Sequence, residues 1–179
     1  YFIILDMEED NLEIRKSNIS GKGVFAKKLI KKGEKICFME GEEVSVEEFI
    51  RRIKEGIEKD GDFLQVDNEK YIDMKESNRC INHSCNPNAF IRGKNELVAL
   101  KDINKGEEIA YDYSTTMWED KDEIKKELGT DAWTMKCKGG SKNCRKIIDQ
   151  FYLLPKDLQK YYIKNKLAPD FILKKSAKN

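Results

Sequence analysis

The sequence predicts a mainly β fold of short strands, with one helix inserted among them and a helical extension at the C-terminal end. Three observations carry this. Short runs rich in β-branched and aromatic residues recur between Gly-containing turns. One stretch alone combines a helix cap with helical spacing. From Asp120 onward the strand pattern gives way to charged helical segments around a Gly/Cys/Lys loop. At 179 residues the chain fits one domain with appendages and can bury a real core.

Alternation marks strands at Phe2–Leu5 and Leu12–Arg15, and Ser20-Gly21-Lys22-Gly23 turns the chain into a strand at Val24–Ala26. Lys31-Lys32-Gly33-Glu34 is a second turn, before the apolar Ile36–Met39. Ser45 with Glu48 three residues on forms a capping box, and Phe49, Ile50, Ile53 and Ile57 follow at helical spacing until Asp60-Gly61 stops the helix. Strands return at Phe63–Val66 and Tyr71–Ile72. Ala89–Arg92 and Leu97–Leu100 form a hairpin across Arg92-Gly93-Lys94-Asn95. Asn104-Lys105-Gly106-Glu107 turns into Ile109-Ala110-Tyr111. Beyond these, Asp120–Leu128 reads as a helix and Trp133–Cys144 as a loop. Pro155–Lys164 is a helix with Pro in its first turn, and Lys174–Asn179 is an expected frayed end.

Composition excludes several classes. The chain is 39% hydrophobic and 37% charged, and 34 basic against 33 acidic residues leave a net charge of +1, so no global field draws it to nucleic acid. No apolar run nears the roughly 20 residues of a membrane span. Tyr1–Leu5 lacks the basic flank of a signal peptide, and the absence of an initiator Met reads as a trimmed start. Five cysteines, an odd number without disulfide framing, indicate a reducing, intracellular setting, cytoplasmic or nuclear.

The chemistry concentrates in Asn78–Asn88, which holds the only histidine, His83, with Cys80, Cys85, Pro87 and several asparagines. Such a packet makes poor helix and poor strand, so its backbone must be satisfied by something else. Gly21-Lys22-Gly23 lacks the third Gly and following helix of a dinucleotide fingerprint. His83 and Cys85 raise a Cys/His hydrolase, but the two are expected to point apart and no Gly-x-Cys elbow is present. Tyr111 and Tyr113 alternate onto one face.

Taken in order, Gly-x-Gly (21–23), Arg-x-Ile-Asn-His-Ser-Cys-x-Pro-Asn (79–88) and Gly-Glu-Glu-Ile-x-Tyr-Asp-Tyr (106–113) resemble the SET-domain protein lysine methyltransferases. Cys137–Arg145 is similar to their post-SET segment. The resemblance covers roughly Leu12 to Ile148. It implies small curved β-sheets with a knot-like crossing, S-adenosylmethionine on one side and a lysine channel opening from the other. It assigns cofactor contacts to Lys22, Gly23, Val24, Arg79, Asn82, His83 and Tyr113. Tyr113 would be the catalytic tyrosine, and Tyr111 would limit the product to mono- or dimethyl-lysine. Phe63 and Tyr111 would line the channel. Asp112, between the tyrosines, is expected to serve a structural hydrogen bond. Since a lysine ammonium has no lone pair, an apolar channel would favour the neutral amine.

The post-SET zinc site of the family needs four thiolates. Here Cys85, Cys137 and Cys144 match, while Gly139 occupies the remaining position, so no metal is expected, although Cys37 or Cys80 are conceivable substitutes. Packing of Trp133, Met135, Ile147 and Ile148 over the cofactor would hold the loop instead. The expected organisation is a SET domain over 1–116, a linker helix and post-SET-like segment over 117–148, and a helical extension over 149–179. The expected partner is a protein with an exposed lysine, with no nucleic acid and no membrane. The alternative to an enzyme is a catalytically silent module that binds a lysine-bearing partner.

Overall fold

A computed structural model describes residues 11–129 and 132–178, so the strand expected at Phe2–Leu5 lies outside the described residues. The described residues build three small sheets and a two-stranded ribbon. Strand β1 (Leu12–Lys16) pairs antiparallel with β2 (Lys22–Ala26), turning Leu12 and Ile14 to the core and Glu13 and Arg15 outward. A second sheet contains β3 (Lys35–Phe38), and a third begins with β4 (Gly41–Ser45), a strand the sequence did not announce. Helix α1 (Val46–Lys54) follows, then the third sheet's β5 (Phe63–Asp67) and β6 (Lys70–Met74), in the order β4-β6-β5.

Helix α1 begins as predicted, with the Ser45 hydroxyl accepting from the Glu48 amide at 3.3 Å. The box is only half made, because the Glu48 carboxylate turns to Arg51 and Arg52. The helix also stops earlier than Asp60-Gly61. Gly56 takes φ +67, where a side chain is strained, and the Ile57 amide folds back to the Arg52 carbonyl. Ile57 therefore leaves the helical face and is 54% exposed.

The Asn/Cys packet becomes one helical turn, α2 (Glu76–Arg79), and a two-residue strand, β7 (Asn82–His83). The hairpin β8 (Ala89–Arg92) and β9 (Glu96–Ala99) forms as expected and joins β3, and β10 (Glu108–Tyr111) enters the first sheet between β2 and β7. Helix α3 (Lys121–Leu128) comes next. The expected loop over Trp133–Cys144 is instead partly a ribbon, β11 (Met135–Lys136) paired with β12 (Ile147–Ile148). Helix α4 (Lys156–Lys164) begins behind Pro155, and a further helix, α5 (Asp170–Ser176), takes up the first three residues of the end expected to fray. No described helix is long and apolar enough to cross a membrane.

Three apolar clusters hold these pieces. The largest joins Val24, Ile91, Leu97 and Ile109 of the first two sheets to Leu64 and Ile72 of the third. The second packs Phe151, Tyr162 and Ile172 of the C-terminal segment against Phe90, Leu100 and Trp118. The third seats Phe49 of α1 on Tyr71, ring centroids 4.2 Å apart and nearly parallel. Burying a Phe side chain contributes about 2 kcal/mol, which fixes the inserted helix to the sheet that shapes the site.

Candidate active site

The polar packet and the Tyr-Asp-Tyr segment satisfy each other. β7 runs parallel to β10 with Asn82 opposite Ala110 and His83 opposite Tyr111. The Ser84 amide donates to the Tyr111 carbonyl at 3.0 Å. Asn88 donates its side-chain amide to the Glu108 carbonyl at 2.8 Å and accepts from the Ala110 amide at 2.9 Å. The Tyr113 hydroxyl donates to the Ile81 carbonyl at 2.6 Å, and its backbone amide donates to His83 Nδ1 at 3.2 Å. Backbone that could not form a regular ladder is thus paired across the crossing.

Beside this crossing opens a narrow cavity of about 40 Å3, walled by Phe63, Tyr71, Tyr111, Tyr113, Trp133 and Glu119. By volume it takes a small alkylammonium head or a few waters. Tyr111 and Tyr113 share it, ring centroids 4.8 Å apart, as the alternation required. Burial pushes both phenols above their ordinary pKa, so they are protonated at neutral pH and act as hydrogen-bonding groups, not as phenolate bases. Trp133 stands 6.3 Å from Tyr113 on the cavity wall. Of the other residues expected to pack over the cofactor, Ile148 is fully buried and Ile147 is 48% exposed.

Asp112 points away from the cavity and is 1% exposed. Its carboxylate accepts from Arg145 Nη2 at 2.6 Å, from the Ser114 amide at 3.1 Å and from the Tyr162 hydroxyl at 2.8 Å. One buried anion therefore ties the crossing to the post-SET-like segment and to α4. Burial pushes the His83 imidazole down to about 4, against the pull of Asp112, so the ring is neutral. Because Nδ1 accepts the Tyr113 amide, the proton sits on Nε2, which faces Cys85 Sγ at 3.2 Å. His83 and Cys85 do not diverge as expected, since residues two apart in an extended segment share a face. They still make no nucleophile pair, because burial lifts the Cys85 thiol to about 11.

β7 is the edge strand of its sheet. Asn82 fixes the turn before β2, donating to the Lys22 carbonyl at 2.9 Å and to the Ser20 carbonyl at 3.2 Å. A Cβ on Gly23 would lie 2.4 Å from Glu108 Oε1 and would push that carboxylate off Asn82 and Ser17. The β7 edge, the amide-pinned turn and the loop at Gly139, whose added Cβ would lie 3.4 Å from the His83 carbonyl, lie side by side, and they offer the backbone groups that would hold S-adenosylmethionine. Lys22 is exposed at its rim, 3.9 Å from Glu76. Val24 is fully buried with both backbone edges paired, so it supplies packing. Arg79 spends its guanidinium on Glu58, Asp73 and the Met74 carbonyl and lines the cavity.

Cys85 and Cys137 sulfurs lie 3.7 Å apart, close to the edge of a tetrahedral zinc site, with the Cys144 thiol in contact with both and His83 beside them. The fourth vertex fails. A nitrogen that carries its proton offers no lone pair, and Gly139 offers no side chain. The residues therefore do not fit a closed zinc site.

The sequence missed Glu119, Tyr71, Arg145 and Tyr162. Glu119 gave no signal, for its side-chain partners lie 48 and 31 residues away. Arg145 follows a matched cysteine, which was the one available cue.

Residues 21–114 match the family described as SET domain. The chain is similar to the variant-silencing SET domain-containing protein of Plasmodium falciparum, 38% identical over 121 residues, covering 58% of this chain and 5% of that protein. It is 36% identical over 118 residues to histone-lysine N-methyltransferase TRX1 of Oryza sativa subsp. japonica, covering 57% of this chain and 11% of the relative. Among solved structures it resembles a humanized mutant of the Chaetomium thermophilum Polycomb Repressive Complex 2 bound to the inhibitor GSK126. That likeness has a TM-score of 0.52 and 26% identity, over 59% of this chain and 15% of the other. The chain thus spans a small fraction of the proteins it matches.

Proposed function

Because this chain belongs to the SET-domain family, we propose that it transfers a methyl group from S-adenosylmethionine to the side-chain amine of a lysine in a protein substrate. The observation that supports this best is the Tyr113 phenol, held by the Ile81 carbonyl where the crossing meets an aromatic cavity of lysine-head size. When bound, the cofactor supplies an electrophilic methyl group on a sulfonium. Asn82, His83 through its backbone, Lys22 and Gly23 would hold it. Phe63 and Trp133 dehydrate the incoming chain and favour the neutral amine. Tyr113 orients the amine, which removes much of the entropic cost of the encounter.

Tyr111 limits the space at the amine and restricts the product to mono- or dimethyl-lysine. Arg79 braces the channel rim. The relatives named as histone-lysine N-methyltransferases make histones the first substrate to try, and the protein acts inside the cell. Labelled methyl transfer into a histone mixture, read by mass spectrometry, tests the reading. Wild type should give mono- and dimethyl-lysine, and Tyr111→Phe should shift the product to higher methylation. No label, with cofactor bound by calorimetry, would mark the chain as a silent binding module.

A further inference from the structure

We infer that Glu119 is the ammonium-binding acid of the channel: its carboxylate draws in the charged amine of the target lysine and takes the proton that amine must lose. This rests on the methyl-transfer reading above. Glu119 lies on the wall of the same cavity as Tyr111, Tyr113 and Trp133 and is 8% exposed. It is held rigidly. Oε1 accepts from the Tyr71 hydroxyl at 3.1 Å, and Oε2 accepts from Gln150 Nε2 at 3.3 Å. Its backbone amide donates to Gln150 Oε1 at 2.9 Å, and its carbonyl accepts from the Tyr152 hydroxyl at 3.3 Å.

All of these partners are neutral. Among the described residues no lysine or arginine forms an ion pair with Glu119. Arg79, the cation in the cavity wall, is bound to Glu58 and Asp73. A buried carboxylate without a cation is costly, and the missing cation has the charge of the substrate expected in the channel. Tyr71, Tyr111 and Tyr113 face Glu119 from the cavity side. Asp120, Lys121, Asp122, Lys156 and Lys175 border the groove behind it. Burial raises the Glu119 carboxyl above its ordinary pKa, which brings it closer to the amine and eases proton transfer between them.

The step balances. The Glu119 carboxylate takes one proton from the lysine ammonium, leaving a neutral amine and a neutral acid. The nitrogen lone pair forms the new N–C bond as the S–C bond breaks, its electron pair staying on sulfur. The product leaves as an alkylammonium, and the acid returns its proton to solvent before the next turn.

The test compares wild type with Glu119→Gln, which keeps an oxygen for Tyr71 and removes the charge. Rates are measured from pH 6 to 10 on a histone mixture, alongside S-adenosylhomocysteine binding. The expected result is a fall in kcat/KM of about 10²-fold at pH 7.5, loss of the acid limb, and unchanged cofactor-product binding. In parallel, n-butylammonium should shift the Glu119 side-chain carboxyl 13C resonance of wild type, whereas n-butanol should not. Kinetics within twofold of wild type with the same pH profile overturn the inference, as does a carboxyl resonance blind to n-butylammonium. Wild type inactive on histones counts against the methyl-transfer reading, and the resonance then decides the inference alone. A structural role alone predicts weaker folding of Glu119→Gln. The inference predicts the loss of rate at an unchanged urea midpoint.

Discussion

The crossing and the segment from residue 132 to 148 meet where Gly139 approaches the His83 carbonyl, yet they are built in opposite ways. In the crossing, Asn82, His83, Asn88 and Tyr113 are bonded to backbone from distant parts of the chain. The later segment rests on a two-pair ribbon, one arginine and three unbridged thiols. Buried polar groups that satisfy each other specify one geometry, whereas a short ribbon with an unfinished thiol cluster leaves its geometry to whatever it packs against. Fixed methyl chemistry suits the first, and accommodation of different peptides suits the second.

Breaking the link between the two regions should have the largest effect. Asp112→Ala strands the Arg145 guanidinium and the Tyr162 hydroxyl in the interior and should cost about 3–5 kcal/mol in urea unfolding. Repairing the weaker region should come next. Gly139 has ordinary room for a Cβ and does not take a positive φ. Gly139→Cys should therefore complete four thiolates and bind one zinc per chain by metal analysis, while wild type stays well below one. With zinc at several hundred times its Kd the variant should gain about 3–4 kcal/mol.

The crossing's histidine offers a finer test. Its folded pKa of about 4 lies below the ordinary 6.5, so the unfolded chain binds the extra proton between those values. The stability from keeping the ring neutral is whole above pH 6.5 and drains away as pH falls towards 4, by up to about 3 kcal/mol. The proton NMR signal of this single histidine should show no titration above pH 5. Smallest for stability is Tyr113→Phe, which removes the bond to the Ile81 carbonyl at about 1 kcal/mol. The same variant should lose methyl transfer at least tenfold, separating a modest structural cost from a large chemical one.

The strands, the inserted helix and the residues of the crossing were legible because they depend on local signals: alternation, turn glycines and motif spacing. β4 was missed because Gly41-Glu42-Glu43 looks polar, and its strand state comes from pairing with Asp73 and Ile72. The stop at Gly56 was missed because the Ile57 spacing carried the helical pattern past it. Glu119 was illegible for a stronger reason. In sequence Trp118-Glu119-Asp120 reads as a solvated charge run, and only Tyr71 and Gln150, brought from other layers, make it an interior acid. The proximity of His83 and Cys85 was available from strand geometry and was misjudged.

The bond from Tyr162 to Asp112 redraws the limits of the folding unit. The family match ends at residue 114, but a fragment cut there would shed both Arg145 and Tyr162 and leave a naked carboxylate between Tyr111 and Tyr113. Asp112 keeps both partners only in a piece that extends into the helix ending at Lys164. What looks like an appendage is the last brace of the crossing.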